Sequence, residues 1–334
     1  MPARCTGTSV VSEPAPRDGR LVDATVVALG GGHGLAASLS ALRRVVTDLT
    51  AVVTVADNGG SSGRLRREFG VLPPGDLRQA LAALCGDDEW GRTWARVLQH
   101  RFASDGGMNE HAVGNLLIVA LWELLGEHVD GLAWVGRLLG AQGRVLPMSV
   151  SALDITASVR GLDPAHPDAL STVRGQIEVA TTRGTVESIR LDPDDPPACP
   201  EALAAIGAAD WVVLGPGSWF TSVLPHLLVP DLRAAIVASS ARKVVTLNLA
   251  PQEGETDGFS PAHHLEVLAE HAPDLRLDVV LVDERAIDGA AHLRATAVAM
   301  GAKLVVADIA VDGPDARHDP VKLADAYARL IGQA

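Results

Sequence analysis

Cysteine is scarce in this chain and follows no pairing pattern: Cys5, Cys85 and Cys199 are odd in number and widely spaced. That excludes a disulfide framework as the organising device and makes a reducing cytosol the simplest compartment. Long apolar runs are missing too. No stretch approaches the roughly 18 to 20 uninterrupted apolar residues of a membrane span. The first 20 residues hold Pro2, Pro14 and Pro16 among charged and small residues, without the apolar core of a signal peptide. They read as a flexible tail over 1–20, and a cytoplasmic protein is expected. Positive charge is also in short supply, with 28 Lys and Arg against 41 Asp and Glu and a net charge of −13. Broad binding to nucleic acid or anionic membrane is disfavoured. What is present, 334 residues at 47% apolar and 21% charged, suits a globular fold with a sizeable core.

The apolar runs arrive in an α/β rhythm. Residues 24–29 (ATVVAL) predict a buried strand, 35–46 a helix with Leu35, Leu39 and Leu42 on one face, and 51–56 (AVVTVA) a second strand. Strand, helix, strand favours parallel pairing and a three-layer α/β sheet. Residues 76–85 and 115–126 predict helices. Between about 150 and 192 the texture turns to short β-branched segments, predicting antiparallel hairpins; 192–200 (DPDDPPACP) reads as a loop. The α/β rhythm resumes at 211–218, 243–250, 278–283 and 303–308. The expectation is one mainly parallel, Rossmann-like nucleotide-binding domain over 21–334 with a small β-rich insertion.

Three glycine-rich loops fall where strands end. In the first, Gly31, Gly32, His33 and Gly34 open a helix, where glycine permits close backbone approach and free N–H groups attract phosphate. It is neither a Walker loop nor a strict G-x-G-x-x-G fingerprint; the plain alternative is a turn for tight helix–strand packing. In the second, Asp57 and Asn58 precede Gly59, Gly60, Ser61 and Ser62, a backbone nest with hydroxyl donors. Arg64, Arg66 and Arg67 follow, and the bland reading is a loop before a solvated basic helix face. Asp57 also stands where a Rossmann domain holds a ribose, which raises a dehydrogenase as a third-ranked reading. The third loop, LGPGSWFTS, carries Gly215, Gly217, Ser218, Thr221 and Ser222. Three such loops together suggest a polyanionic ligand, a nucleotide with a second group attached.

The surrounding polar residues are more equivocal. Asp76, after Pro73-Pro74-Gly75, is placed to cap the next helix, with metal binding the lesser alternative, and Asn115 to cap another, while His111 divides evenly between a structural and a site role. Asn248 ends a strand and joins the candidate ligand-binding residues. Glu253, Glu255 and Asp257 follow in a polar loop suited to magnesium or sugar hydroxyls, or simply to solvent. No activated nucleophile, acid–base pair or metal-ligand spacing stands out.

Taken in order, LGGGHG, TVADNGGSSGRLR, PPGDLRQAL, HAVGNLL, LGPGSWFTS, NLAPQEGETDGF and ARHDP make the chain resemble the gluconeogenesis-factor family from about residue 25 onward. That family is related to the 2-phospho-L-lactate transferase of deazaflavin-coenzyme synthesis. The resemblance implies an α/β fold that binds a UDP-sugar, typically UDP-N-acetylglucosamine, with roles in growth on gluconeogenic carbon, cell shape and cell-wall precursor supply. The transferase relatives instead use magnesium and a nucleotide-activated donor. It adds Asn115 and Arg317 to the candidate ligand-binding set, although on spacing alone ARHDP reads as a surface turn before the last helix. No cofactor is required on this reading beyond Mg2+ carried by a nucleotide, and the expected partners are a nucleotide-sugar, a second copy or a regulatory protein. Three departures stand out: His33 replaces a common threonine, Asn58 a common second aspartate, and Glu110 a common glycine.

Overall fold

The computed structural model describes residues 21–332 apart from 253, 288 and 289. The tail expected over 1–20 and the candidate Glu253 lie outside the described residues. The first half of the chain supplies β1 (Val22–Gly30), α1 (Gly32–Leu42), β2 (Val46–Val53), α2 (Gly60–Phe69), α3 (Gly75–Ala83), α4 (Glu89–Gln99), α5 (Val113–Leu125), α6 (His128–Leu139) and β3 (Arg144–Pro147). An insertion follows: β4 (Asp154–Arg160), β5 (Leu170–Arg174), the short α7 (Gln176–Ala180) and β6 (Thr185–Asp192). Then come α8 (Pro200–Gly207), β7 (Trp211–Leu214), a π-helical turn (Trp219–Val223), α9 (Pro225–Leu228), α10 (Pro230–Ala238) and β8 (Arg242–Thr246). The chain continues through α11 (Pro261–His271), β9 (Val279–Asp283), α12 (Ala290–Ala299), β10 (Lys303–Ala307) and α13 (Pro320–Ile331).

Seven strands make one parallel sheet in the order β10-β9-β8-β7-β1-β2-β3, with helices around it. Its central strands are covered on both faces, so Val26, Val27, Ala28, Val52, Val53, Val212 and Val213 are completely buried. Such strands read as continuous apolar runs rather than alternating ones, which is why the sequence predicts them. The insertion forms a separate antiparallel sheet, β5-β4-β6, with alternating burial along β4. No helix of the described residues is long and apolar enough to cross a membrane.

β1 lies between β2 and β7. From β1 the chain moves outward through β2 to β3, and from β7 outward the other way through β8 to β10. This reversal leaves a crevice beyond the carboxyl ends of β1 and β7, where open α/β sheets bind ligands.

Several boundaries differ from expectation. α1 runs Gly32–Leu42 rather than 35–46, because the glycines themselves form its first turn. β2 ends at Val53, where its pairing with β1 and β3 stops, and the Thr54 N–H makes the last bond to β1, to the Gly30 carbonyl at 3.0 Å. Residues 55 and 56 stay buried without pairing, so Asp57 sits on a loop beyond the strand. β8 stops at Thr246, two residues short of Asn248. The segment GQIEVA, expected in a hairpin, is α7, and α8 begins at the last proline of the expected 192–200 loop.

Candidate functional site

The crevice is a cleft of about 320 Å³ walled by the first loop, Asp57, the start of α3, α7 and the loops after β7 and β8. Gly31 is the N-cap of α1, and no side chain caps it. Asp76 takes the Gly32 N–H, and the His33 and Gly34 N–H groups follow beside the cleft at the positive end of an 11-residue helix. The glycines there serve different needs. A Cβ on Gly34 would lie 2.2 Å from the Pro216 carbonyl oxygen, and one on Gly31 would lie 2.5 Å from Asp76 Oδ2. Both are packing glycines. Gly32, at φ +57°, would meet nothing within 4 Å, so only there does a missing side chain leave open space. Exposed His33 and half-buried Gly34 also line the cleft.

The second loop is mostly turned inward. Asp57 lines the cleft and accepts the Gly59 N–H at 2.9 Å. Asn58 faces the insertion: its Nδ2 donates to Glu178 at 2.8 Å and its Oδ1 accepts the Ile177 N–H at 3.2 Å. That clamp holds α7 over the cleft, where Gln176, Ile177 and Ala180 form one wall. Gly59 and Gly60 start α2 without a side-chain cap, but neither lines the cleft. Ser61 Oγ accepts from Ala112 N–H at 3.3 Å and Asn115 Nδ2 at 3.0 Å, and lies 3.1 Å from His111 Nδ1. Ser61 and Ser62 are buried. The basic face that follows holds protein instead: Arg64 donates to the Gly107 and Asn109 carbonyls, and Arg66 pairs with Asp154 at 2.8 Å.

In the third loop, Asn248 grips Gly217 from both sides, accepting its N–H and donating to its carbonyl, each at 2.9 Å. Gly217, Ser218, Thr221 and Ser222 then face the cleft together with Gln252, whose Nε2 donates to Ser218 Oγ at 3.2 Å. Gly215, at φ +70°, lies behind them; its carbonyl accepts from Ser38 Oγ at 3.0 Å. Glu255, read as a metal or sugar ligand or a solvent-facing acid, is buried instead. Its Oε1 accepts the Phe220 and Thr221 N–H groups at 3.0 and 2.9 Å, so an internal carboxylate already occupies the start of that turn.

Two polar residues have roles other than those expected. Asp76 is not the cap of α3, whose N-cap is Pro74; it reaches into the cleft beside Gly32. Burial, then repulsion from Asp57, pushes its carboxyl up to about 7. Asn115 does not cap α5, whose N-cap is Ala112. Its Oδ1 accepts from Nε of the buried Arg78 at 2.8 Å, and burial lowers that guanidinium to about 10. Both residues sit within first turns, where sequence alone does not separate capping from inward-facing roles.

Arg317 is not brought to the cleft. It is exposed and pairs with Asp315 at 3.0 Å, whereas burial drives the adjacent His318 down to about 4. His111 is structural in placement, buried against Ser61. Before it, Glu110 is the single non-glycine residue with positive φ, +62°, among the described residues. Glycine suits that conformation without Cβ strain. Glu110→Gly is therefore expected to stabilise the protein by about 1 kcal/mol in urea denaturation; a loss of stability would show that the Glu110 side chain contributes more than its backbone costs.

Asp76, Gln79, Gln176, Ile177, Ala180 and Gln252 complete the cleft without having been singled out as ligand residues. Asp76 and Gln79 belong to PPGDLRQAL, a motif that could have raised them. The α7 residues carried no such signal. The lining includes no lysine or arginine, so an anion there would rest on backbone N–H groups. Among the described residues no cluster of three or more His, Cys, Asp or Glu could cage a metal.

A seven-stranded parallel sheet with a glycine-lined cleft at its switch point defines a Rossmann-like α/β protein. Residues 26–321 match the family model of 2-phospho-L-lactate transferase CofD, and the chain belongs to that family. It is 53% identical over 302 residues to a Mycobacterium tuberculosis (strain H37Rv) protein provisionally named a gluconeogenesis factor, covering 90% of this chain and 88% of that one. It is 34% identical to the gluconeogenesis factor of Listeria monocytogenes, covering 92% and 95%. A crystal structure of a UPF0052-family protein from Bacillus halodurans superposes with a TM-score of 0.80 at 32% identity, covering 92% of this chain and 99% of that one.

Proposed function

We propose that the cleft binds a nucleotide-diphosphate sugar, UDP-N-acetylglucosamine by family resemblance, and that the protein is a cytoplasmic regulator linking gluconeogenic carbon to cell-wall precursor supply and cell shape. On this reading 21–334 is one nucleotide-binding domain and its partners are the nucleotide-sugar and a regulatory protein or second copy. The observation that carries the reading is the start of α1 at the cleft, where Asp76 holds the Gly32 N–H and the His33 and Gly34 N–H groups follow without a cap from Gly31. Backbone N–H groups at a helix start suit a phosphate, and the side-chain amides of Gln79, Gln176 and Gln252 suit sugar and base hydrogen bonds. The gluconeogenesis-factor names of the relatives support the physiological half.

The carboxylates Asp57 and Asp76 would repel a diphosphate by themselves. A Mg2+ ion arriving with the nucleotide fits them, since Mg2+ commonly takes one or two protein carboxylates and completes its shell with phosphate and water. Burial raises the Asp76 carboxyl first, and repulsion from Asp57 adds to it, a repulsion that a cation would offset. Such an ion would neutralise phosphate charge. The chain's own contribution is to bring Asp57 and Asp76 to the same end of the cleft as the α1 N–H groups, with Asp76 already holding the Gly32 N–H. The same arrangement favours a second reading, a phospholactyl-type transferase acting by positioning and charge stabilisation.

Calorimetry with UDP-N-acetylglucosamine and Mg2+ tests the binding, with NAD as the competitor class. Preference for the uridine nucleotide is expected, and Gly32→Val should weaken it at least tenfold by filling the open space. Binding of NAD alone would overturn the reading. Mass spectrometry after incubation with candidate acceptors separates regulator from transferase, because only the latter yields a new covalent product.

A further inference from the structure

Away from the cleft, between α6, β3 and the start of α8, lies a groove of about 390 Å³. Its floor is apolar and buried: Leu81 of α3, Leu132 of α6, and Val145 and Leu146 of β3. Its rim is charged and unequal, with the exposed Arg137 and Arg144 against Glu201. Glu201 is already satisfied, lying in the first turn of α8 and accepting from the Cys199 thiol at 3.2 Å. Arg144 gives Nη2 to Thr50 Oγ1 at 3.2 Å, and Arg137 rests over the Trp134 ring at 5.0 Å. Neither guanidinium has a carboxylate partner among the ion pairs of the described residues.

We propose that this groove is a second ligand site, taking a small molecule with an apolar body and an anionic head. An apolar floor of this size is the common form of small-molecule pockets, which carry few polar groups to set orientation. Here those groups are two guanidiniums, whose planar forks match a carboxylate or similar oxyanion. The body lies on Leu81, Leu132 and Leu146, and the head sits between Arg137 and Arg144. Gly136 gives the body its room: a Cβ there would approach nothing closer than 3.9 Å, so a longer side chain would enter the groove without displacing backbone.

Octanoate, below its micellar concentration, is the probe, and titration calorimetry on the full chain is the measurement. Saturable binding at one site per chain is expected. Gly136→Leu should weaken it at least tenfold, and Ala133→Phe, at an exposed position on the groove wall, should do the same should the first variant fail to fold. Arg144→Glu should weaken octanoate several-fold and leave octan-1-ol unchanged, whereas Glu201→Gln should tighten octanoate. Absence of saturable binding overturns the proposal. So does unchanged affinity in a folded groove-filling variant, or octan-1-ol binding as tightly as octanoate.

Discussion

Asp76→Asn is expected to stabilise the protein at pH 8 while weakening its hold on a magnesium-bound nucleotide. The native carboxyl is raised from an ordinary value near 3.8 to about 7, so the folded state binds this proton more tightly than the unfolded chain. Its contribution is therefore fully present below about pH 4, declines as pH rises towards 7, and is gone above it. That displacement corresponds to roughly 4 kcal/mol. The amide carries no charge to desolvate and still accepts the Gly32 N–H, so it escapes that loss. Urea denaturation at pH 5 and pH 8 should show the advantage of the variant growing steeply between the two. An equal difference at both pH values would remove the buried-carboxylate account. Affinity for the nucleotide with Mg2+ should rise from pH 6 to pH 8 in the unaltered protein and lose that dependence in the variant.

Gly34→Ala should be as costly as Asp76→Asn is stabilising. One methyl at this position would fall 2.2 Å from the Pro216 carbonyl and 2.5 Å from Gly217 Cα, both backbone. The start of α1 must then move away from the third loop, and overpacking of this kind costs about 3 kcal/mol. Gly32→Ala is the informative contrast: its methyl meets nothing, and only the left-handed φ of +57° penalises it, by about 1 kcal/mol. Thermal or urea melts of the two variants measure the gap. Equal destabilisation would mean that the two glycines do not divide into packing and ligand-facing roles.

The sheet was largely legible in the sequence because its central strands are buried on both faces and leave continuous β-branched runs. The insertion was legible for the opposite reason, since β4 alternates buried and half-buried residues. α4, α6 and β3 escaped notice, although α4 is strongly amphipathic, and the two helices also expose large apolar residues, Trp90, Trp134 and Leu138. At the site, the three glycine loops were found, yet their division of labour was not. Whether Gly34 is a packing glycine depends on Pro216, and whether Asn58 faces a ligand depends on Glu178. Both are long-range contacts with no local trace. Asp76 shows the same limit, because an aspartate in a first helical turn looks like a cap whichever way it points.

The hydroxyl of Tyr327, the sole tyrosine of the chain, stands 2.8 Å from Ser38 Oγ and 2.9 Å from Thr246 Oγ1, and Ser38 in turn donates to the Gly215 carbonyl behind the third loop. Ser38 and Tyr327 are 289 positions apart. At about 5 to 20 residues per second of synthesis, roughly 15 to 60 s separate the emergence of α1 from that of the residue that braces it. Throughout that interval the first glycine loop lacks α13 behind it, and until Leu214 is made it lacks β7 beside it as well. The cleft's walls are all synthesised by Gln252 while its bracing waits for α13, and a nascent chain must keep the apolar faces of α1 and β1 from other chains until β7 and then α13 arrive.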